Sequence, residues 1–424
     1  MKTFLSGHKA GSEFIASPRS QADSFCSMCF PNRPCPICGS LQGEKIALVN
    51  YIMFDGCALE QPITMLCCQV CGLIYNEIKN SENLSSYYKN QSLYGSEQGS
   101  GSGGYSHLER RRYQDNLNII SKYFDRESNL LVDVGCAKGG FLTFAKEQGF
   151  THILGIDMNR ICLDLLSKQG IPSAYGSAES IPLANGLADL IYSNNVLEHV
   201  YNMSAVILEA RRALKDNGLL YIEAPESENY AGCCFKSMEW LVPEHVNFIS
   251  KDHLAALMES NGFTILEAGY GKIYINNGAI QPSAYILGRK ERQDKVPYHF
   301  QKYQHLKNAV SRRLADDLNR LGPIKNQVAA YKSEGRKFYM YGLGWAFSLV
   351  SAQLDLKAAD IKGYVDRNPM TRQWRFNGQQ VLDPDRLNEA GPDDVVIIFS
   401  IIHVDSMKEH LKKVGFCGLI IDVS

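Results

Sequence analysis

The sequence predicts an α/β fold with a Rossmann-like core, a small cysteine-rich module before it, and a second, smaller Rossmann-like α/β domain after it. Apolar segments that end in glycine or acidic turns alternate with helical patterns through the middle of the chain, and the alternation begins again near the C-terminus. Two cysteine pairs precede both regions. We expect a flexible tail over 1–24, the cysteine module over 25–80, the core over 81–289, a helical linker over 290–334 and the second α/β domain over 335–424.

Composition narrows the class of protein. The chain has 424 residues, a length typical of two to four domains, with 45% hydrophobic and 21% charged residues. The net charge of −1 gives no basic footprint for nucleic acid. No apolar run reaches the roughly 20 residues of a membrane span, and no secretory signal is apparent, so we expect a cytoplasmic protein. Nothing in the sequence indicates the oligomeric state.

The cysteine module predicts a metal site. Thirteen cysteines in a chain without an export signal favour reduced thiols and a metal centre over disulfides. Two CxxCG turns, separated by a strand-rich spacer, fit a tetrahedral structural zinc ribbon, with the ligands Cys35, Cys38, Cys68 and Cys71. The alternatives are a group of buried free cysteines, or substitution of a ligand by Cys26, Cys29 or Cys67, which lack the following glycine.

The core opens with a glycine turn between an apolar strand and a helix. Asp133 ends the strand, and Gly135 and Gly139 follow it in the order D-x-G-x-x-x-G rather than the GxGxxG of a dinucleotide site. An acid in that position suits a cationic amino-acid moiety better than a phosphate, and the glycines allow close backbone approach. The pattern indicates S-adenosylmethionine (SAM), with Ala137 in place of a frequent middle glycine.

The next strand ends support the same ligand. Asp157, followed by Met158, ends a second strand where an acid can accept both ribose hydroxyls. Ala178 and Glu179 lie where an adenine edge would be read. A buried strand with a polar tip is predicted from Ala188 through His199, and its tip carries the last cofactor candidate, Asn194.

At this point the core resembles class I SAM-dependent methyltransferases. The runs GSAESIPLANGLADLIYSNNVLEHV and LEARRALKDNGLLYIEAPE carry the resemblance. The glycine- and serine-rich stretch 95–106 is interpreted as a linker or as a mobile lid over the SAM site.

The C-terminal part repeats the βα pattern on a smaller scale. After helical spacing in the linker, a strand runs into Gly342-Leu-Gly344, and a second strand ends at Asp366. An acid-tipped second strand favours a small nucleotide-binding-like fold, although a GxG turn alone is weak evidence for a ligand.

The order of the modules is similar to that of the sugar C-methyltransferase family, which acts on nucleotide-linked deoxysugars. CPICG…CQVCGLIY, NNVLEHV, PEHVNFIS, YGLGWA and YVDRNP carry this resemblance from about residue 33 onward. It implies a nucleotide-linked keto sugar as the small-molecule substrate, held in part by the C-terminal domain. It also implies that His245 is the general base, assisted by Glu244 and His199. Tyr94 corresponds to a further family tyrosine, with Tyr87, Tyr88 and Tyr105 nearby.

The family pattern Tyr-x-Glu-His-x-x-Tyr is incomplete here. Val242 and Asn247 occupy the two tyrosine positions. A hydroxyl acceptor would need only His245 as base, so O-methylation of a saccharide or another small polar metabolite is the first alternative. A non-catalytic SAM-binding module of a biosynthetic cluster is the second, and Glu244 and His245 would then be a structural pair.

Overall fold

The computed structural model describes residues 28–29, 31–92, 94, 103–125, 129–229, 240–274, 280–291, 304–400 and 402–423. The predicted tail, Cys26 and the side chain of Cys29 lie outside these residues, as do positions 95–102 of the glycine-rich stretch.

The N-terminal part forms antiparallel strands around the two cysteine turns. The strands are β1 (Met28–Cys29), β2 (Gly43–Val49), β3 (Ile63–Cys68) and β4 (Ile74–Asn76). Gly39 and Gly72 have φ angles of 70° and 81°, a left-handed conformation that glycine adopts without the Cβ penalty of other residues. Each of these glycines ends a CxxCG turn.

The central part is a sheet flanked by helices. Its helices are α1 (Ser81–Asn90), α2 (His107–Ile120), α3 (Gly140–Glu147), α4 (Arg160–Lys168), α5 (Met203–Ala213) and α6 (Lys251–Ser260). Its strands are β5 (Leu131–Val134), β6 (Ile153–Asp157), β7 (Ser173–Tyr175), β8 (Ala188–Asn194), β9 (Leu214–Pro225), β10 (Asn247–Phe248), β11 (Phe263–Tyr274) and β12 (Ile280–Lys290).

Seven of these strands form one sheet in the order β11-β12-β9-β8-β5-β6-β7. Strands β5 to β9 pair in parallel, and β12 pairs antiparallel with both β9 and β11. The predicted Rossmann-like α/β core is confirmed. The remaining strand, β10, pairs with β4 and so joins the N-terminal sheet.

One predicted strand is too long. The structure ends β8 at Asn194, and Leu197–His199 form a short 3-10 turn instead. Asn195 has a φ of 54°, which breaks the extended conformation, and asparagine tolerates this region better than most residues. His199 therefore lies beyond the strand and not at its tip.

The described C-terminal part contains four α-helices and a four-stranded parallel sheet. The helices are α7 (Gln304–Arg320), α8 (Gly322–Ser333), α9 (Trp345–Ser351) and α10 (Val404–Lys413), of which the first two lie within the predicted linker. The strands are β13 (Phe338–Tyr341), β14 (Ile361–Val365), β15 (Arg375–Phe376), β16 (Gln379–Gln380), β17 (Val395–Ile398) and β18 (Leu419–Asp422). The sheet order is β14-β13-β17-β18, and β15 and β16 form a separate hairpin. The proposed domain boundaries themselves stay a prediction.

The N-terminal sheet packs on both neighbours. Val49 and Met65 share a buried cluster with Phe338 and Phe347 of the C-terminal part. Cys68 and Tyr75 belong to a second cluster that includes Ile222 of β9 and other residues of the central part. The three parts therefore share their apolar cores. Among the described residues, no helix has the length and apolar character needed to cross a membrane.

Candidate active site

The glycine turn after β5 has the geometry of a ligand-binding loop. Gly135 and Gly139 have φ angles of 80° and 77°. A Cβ at Gly135 would collide with the side chain of Val196, so only glycine fits this approach. Ala137 adopts a φ of 45°, which shows how the turn accommodates alanine at the middle position.

Two carboxyl groups flank this turn. The carboxyl of Asp157 accepts hydrogen bonds from the backbone N–H groups of Ala137 (2.9 Å) and Asn159 (2.8 Å). Asp133 is buried beside it, and burial, followed by repulsion from Asp157, raises the pKa of Asp133 well above its usual value. A nearby positive charge would stabilise the Asp133 carboxylate, which suits the cationic amino-acid end of SAM. Asp157 stays the predicted acceptor for the ribose hydroxyls.

Three further cofactor candidates, Met158, Ala178 and Glu179, differ in burial and in hydrogen bonding. Met158 follows Asp157 and is half-buried, and Ala178 is buried. Glu179 accepts a hydrogen bond from the backbone N–H of Asn202 at 2.7 Å, so its carboxyl caps the start of α5. This engagement competes with any contact between that carboxyl and an adenine.

Asn194 belongs to a buried polar network that the sequence did not indicate. Its side-chain oxygen accepts from Arg112 at 2.5 Å, and its amide donates to the Tyr192 hydroxyl at 2.7 Å. Arg112 also pairs with Glu223 at 3.2 Å. These residues come from α2, β8 and β9, and no local pattern links such distant positions. The network fixes α2 against the ends of β8 and β9.

A cavity of about 2070 Å³ opens beside the glycine turn and reaches all three parts of the chain. Its central wall includes Lys138, Gly140, Glu198, His199, Glu244 and His245, together with Gly103 and Gly104 from the described end of the glycine-rich stretch. The N-terminal part contributes Met53 and Phe54, and the C-terminal part contributes the Gly342–Gly344 turn, Asp366, Arg367 and Arg372. Asp133 and Asp157 are not among the residues that line this cavity.

Three of the predicted catalytic residues form one hydrogen-bonded group. The Tyr94 hydroxyl donates to Glu244 Oε1 at 2.8 Å and lies 3.5 Å from His199 Nε2. Burial raises the pKa of Glu244 to about 7, while the hydrogen bonds from Tyr94 and Tyr87 act in the opposite direction. The structure places these three predicted side chains together, and their catalytic roles stay a prediction.

The two histidines face each other at the same wall. The ring centroids of His199 and His245 are 4.8 Å apart. Burial lowers the pKa of His199 to about 4, and burial followed by the proximity of His199 lowers the pKa of His245 well below its usual value. Both imidazoles are neutral near pH 7. His245 can still accept a proton there, but it is a weaker base than the sequence alone suggests.

Sequence reasoning gave no role to Glu198, which lines the cavity, or to Tyr88, which contacts His199. The Tyr88 hydroxyl lies 2.6 Å from His199 Nδ1, and Glu198 Oε1 lies 3.6 Å from His199 Nε2. Glu198 directly precedes His199 in NNVLEHV, so its adjacency to a candidate residue was the available signal.

Arg33 holds the backbone on both sides of this wall. Its guanidinium donates to the carbonyl oxygens of Tyr201 and Val246, and to the side chain of Asn247 at 2.7 Å. Burial lowers its pKa only to about 10, so it stays charged at neutral pH. Arg33 lies just before the first cysteine pair, and nothing in the sequence there indicates that it holds the backbone of this wall. Asn247, where the resembling family has tyrosine, also donates to the Leu197 carbonyl at 2.6 Å.

The four predicted metal ligands lie together. The Sγ atoms of Cys35 and Cys71 are 3.6 Å apart, and those of Cys38 and Cys68 are 3.5 Å apart. All four sulfurs lie within 4.8 Å of one another. Sulfurs around a tetrahedral zinc with bonds of about 2.3 Å stand roughly 3.8 Å apart, so the cluster could hold a zinc ion with little movement.

The C-terminal turn repeats the hydrogen bonds of the central one. Asp366 accepts from the backbone N–H groups of Leu343 (2.7 Å) and Asn368 (2.8 Å). Asp157 accepts from the glycine turn and from the residue two positions after itself in the same way. The two acids thus occupy equivalent places at the ends of parallel strands, β6 in the central sheet and β14 in the C-terminal sheet.

Comparison with known proteins identifies the central part. A family model described as "Methyltransferase domain" matches residues 105–268. An uncharacterized protein of Methanocaldococcus jannaschii is 23% identical over 158 residues, which are 37% of this chain and 74% of that protein. This part of the chain is a methyltransferase domain, and the protein is an enzyme that uses SAM.

Two similar proteins are described as methyltransferases that act on carbon. The sphingolipid C9-methyltransferase of Candida albicans is 29% identical over 180 residues, covering 36% of this chain and 34% of that one. The C-methyltransferase NovU of Streptomyces niveus is 24% identical over 148 residues, covering 33% of this chain and 34% of that one. The chain therefore spans about a third of the length of both.

Proposed function

We propose that the protein transfers a methyl group from SAM to a carbon atom of a nucleotide-linked keto-deoxysugar. The observation that carries the proposal is the cavity of about 2070 Å³ that joins the glycine turn of the methyltransferase domain to the C-terminal turn. Pockets for single small ligands are typically about 300–1,000 Å³, so this one has room for the methyl donor and for an extended second substrate.

The C-terminal wall suits the nucleotide end of such a substrate. Arg367 and Arg372 lie on the cavity wall beside Asp366 and the Gly342–Gly344 turn. Arginine side chains bind phosphate oxygens through planar, paired N–H groups, and an acid at this strand end can accept ribose hydroxyls. The described C-terminal sheet thus supports a nucleotide-binding domain, and the cysteine cluster supports a structural zinc ribbon.

The middle of the cavity suits proton removal next to a ketone. SAM supplies a methyl group on a sulfonium, which a carbon atom attacks only when it is electron-rich. A carboxylate or imidazole takes the proton from the carbon beside the carbonyl, the C–H electron pair enters a new C=C bond, and the carbonyl pair moves onto oxygen. When the oxygen pair returns, the carbon bonds to the methyl group and the C–S pair stays on sulfur.

Two groups on the wall can accept that proton. The sequence favours His245, with Glu244 and His199 assisting. Glu244 is the other acceptor, since its carboxyl lines the cavity and is oriented by the Tyr94 hydroxyl. Replacing the acceptor should lower turnover about 10²–10⁴-fold, a typical contribution of general acid–base catalysis.

Solvent exchange tests the carbon acceptor directly. The enzyme is incubated in D₂O with S-adenosylhomocysteine and a panel of nucleotide-linked 4-keto sugars, and we expect deuterium at the carbon next to the ketone. Glu244→Gln and His245→Gln are compared with Glu259→Gln, an exposed glutamate of α6 that should exchange like the wild type. The variant that loses exchange while retaining S-adenosylhomocysteine binding identifies the proton acceptor.

O-methylation remains the second candidate because of one residue. Val242 lines the cavity where the resembling family has a tyrosine that assists proton transfer. An oxygen acceptor does not need an enolate and would not need that tyrosine. Methyl transfer from labelled SAM to a sugar hydroxyl, without deuterium exchange, would contradict C-methylation and support this alternative. The absence of both exchange and transfer on the whole panel would count against a sugar substrate altogether.

A further inference from the structure

Glu198 is a buried carboxyl that accepts no hydrogen bond from any other described residue. Its side chain is 2% exposed, and neither of its oxygens has a hydrogen-bond partner there. It lies on the cavity wall with His199 and His245. Burying an unpaired carboxylate is costly, so a carboxyl in this setting indicates a missing positive partner.

The tautomer of His199 points to the same place. Its Nδ1 lies 3.1 Å from the carbonyl oxygen of Glu244, and a carbonyl can only accept. The Tyr88 hydroxyl, 2.6 Å from the same Nδ1, can either accept from this atom or donate to it. In the tautomer that carries the proton on Nδ1, Nε2 presents a lone pair. That lone pair faces Glu198 Oε1 at 3.6 Å and the Tyr94 oxygen at 3.5 Å, whose own proton is donated to Glu244. In that tautomer three electron-rich atoms converge, and none of the described side chains places a donor between them.

His245 completes the arrangement. One ligand atom from each of Glu198, His199 and His245 lies within 4.8 Å of the others. In a tetrahedral site with bonds of about 2.0–2.2 Å, neighbouring ligand atoms stand roughly 3.4 Å apart, close to the distance between Glu198 and His199. Two imidazoles and one carboxylate are a ligand set of catalytic zinc and of non-haem iron, with open positions for substrate.

We propose that Glu198, His199 and His245 bind a divalent transition-metal cation at the centre of the substrate cavity. The contact between His199 Nδ1 and the Glu244 carbonyl orients the imidazole, as outer hydrogen bonds commonly do for metal-ligating histidines. All three residues line the cavity, so a cation held by them would be accessible to the substrate. This cation site is separate from the cysteine cluster, which contains only sulfur ligands.

The role of the cation rests on the proposed function. A bound cation polarises the substrate carbonyl and stabilises the negative oxygen formed when the neighbouring carbon loses its proton. The cation would stabilise this oxygen in place of the family's tyrosine, because this chain has Val242 at that position. Since His245 is then a ligand, the proton passes to Glu244.

Zinc stoichiometry tests the site without reference to turnover. Wild type, Glu198→Gln and His245→Asn are dialysed against buffered Zn²⁺, and bound zinc per chain is measured by elemental analysis. We expect the wild type to hold one equivalent more than either variant, whatever the cysteine cluster holds. His152→Ala, an exposed histidine away from the cavity, should match the wild type. Tyr88→Phe should weaken zinc binding about 10–100-fold while leaving one site to be filled at high Zn²⁺.

Equal zinc in the wild type and both variants would overturn the proposal. Melting temperature and S-adenosylhomocysteine binding show whether each variant is folded, and two different substitutions guard against the failure of one. The extra zinc equivalent without deuterium exchange on keto sugars would keep the cation site and refute the proposed substrate. Exchange without the extra equivalent would refute the cation site alone.

Discussion

Arg33 connects the cysteine module to the catalytic wall through a single side chain. It is fully buried and donates to backbone oxygens that follow His199 and His245 in the chain. Fixed guanidinium geometry suits several acceptors at once, which lysine cannot reproduce. The backbone beside both histidines is thus held by a residue that does not line the cavity.

Removing this guanidinium should destabilise the fold. Arg33→Ala leaves several buried acceptors without a donor, and hydrogen bonds to charged groups contribute about 1.5–3 kcal/mol each. We expect a loss of at least about 3 kcal/mol in the free energy of unfolding, measured from the urea midpoint, and a smaller loss for Arg33→Lys. Arg386→Ala, which removes an exposed ion pair with Glu389, should cost less than about 1 kcal/mol. A similar loss in Arg386→Ala would mean that Arg33 has no special role.

At the scale of elements, the sequence was most informative where the signal is local. The strand, glycine turn and helix around Asp133 were readable because apolar runs and left-handed glycines leave a pattern within one segment. The end of β8 was not, since Asn195 in a left-handed conformation looks like any other polar residue of a strand tip. The Arg112–Glu223 pair and the contacts of Arg33 could not be predicted from the sequence, because only tertiary packing brings the partners together. Of the cluster formed by Glu198, His199 and His245, the sequence indicated the two histidines but not Glu198.

The glycine turn after β5 allows a matched test of ligand binding. Gly135 and Gly186 both have positive φ, so alanine at either position carries a backbone strain of about 1–2 kcal/mol. Only at Gly135 would the added Cβ also meet a neighbour, Val196; at Gly186 it meets open space. We expect Gly135→Ala to weaken S-adenosylhomocysteine binding at least about tenfold by calorimetry, or about 1.4 kcal/mol, and Gly186→Ala to leave it unchanged. Equal affinities in the two variants would show that the turn does not contact the ligand.

At the scale of the whole molecule, the N-terminal sheet lies between the other two parts and shares an apolar core with each. Its last strand, β10, comes from the methyltransferase region and begins two residues after His245. Loss of the cysteine cluster should therefore affect the whole chain and not a separate appendage. Binding energies of about 10–16 kcal/mol for structural zinc make the cluster a main source of stability if it is filled.

Cys71→Ser tests this coupling. We expect the variant to lose about one equivalent of zinc and to melt at a lower temperature. We expect a single transition that includes the C-terminal sheet, because the N-terminal sheet contributes to the buried clusters of both other parts. Calorimetry measures the transition, and hydrogen exchange of β13 amides reports on the C-terminal sheet. Cys417→Ser, at an exposed thiol far from the cluster in sequence, should keep both the zinc and the melting temperature. Two separate transitions in Cys71→Ser, with β13 protected through the first, would mean that the shared core is too weak to couple the parts, and that the cavity between them can open without unfolding either side.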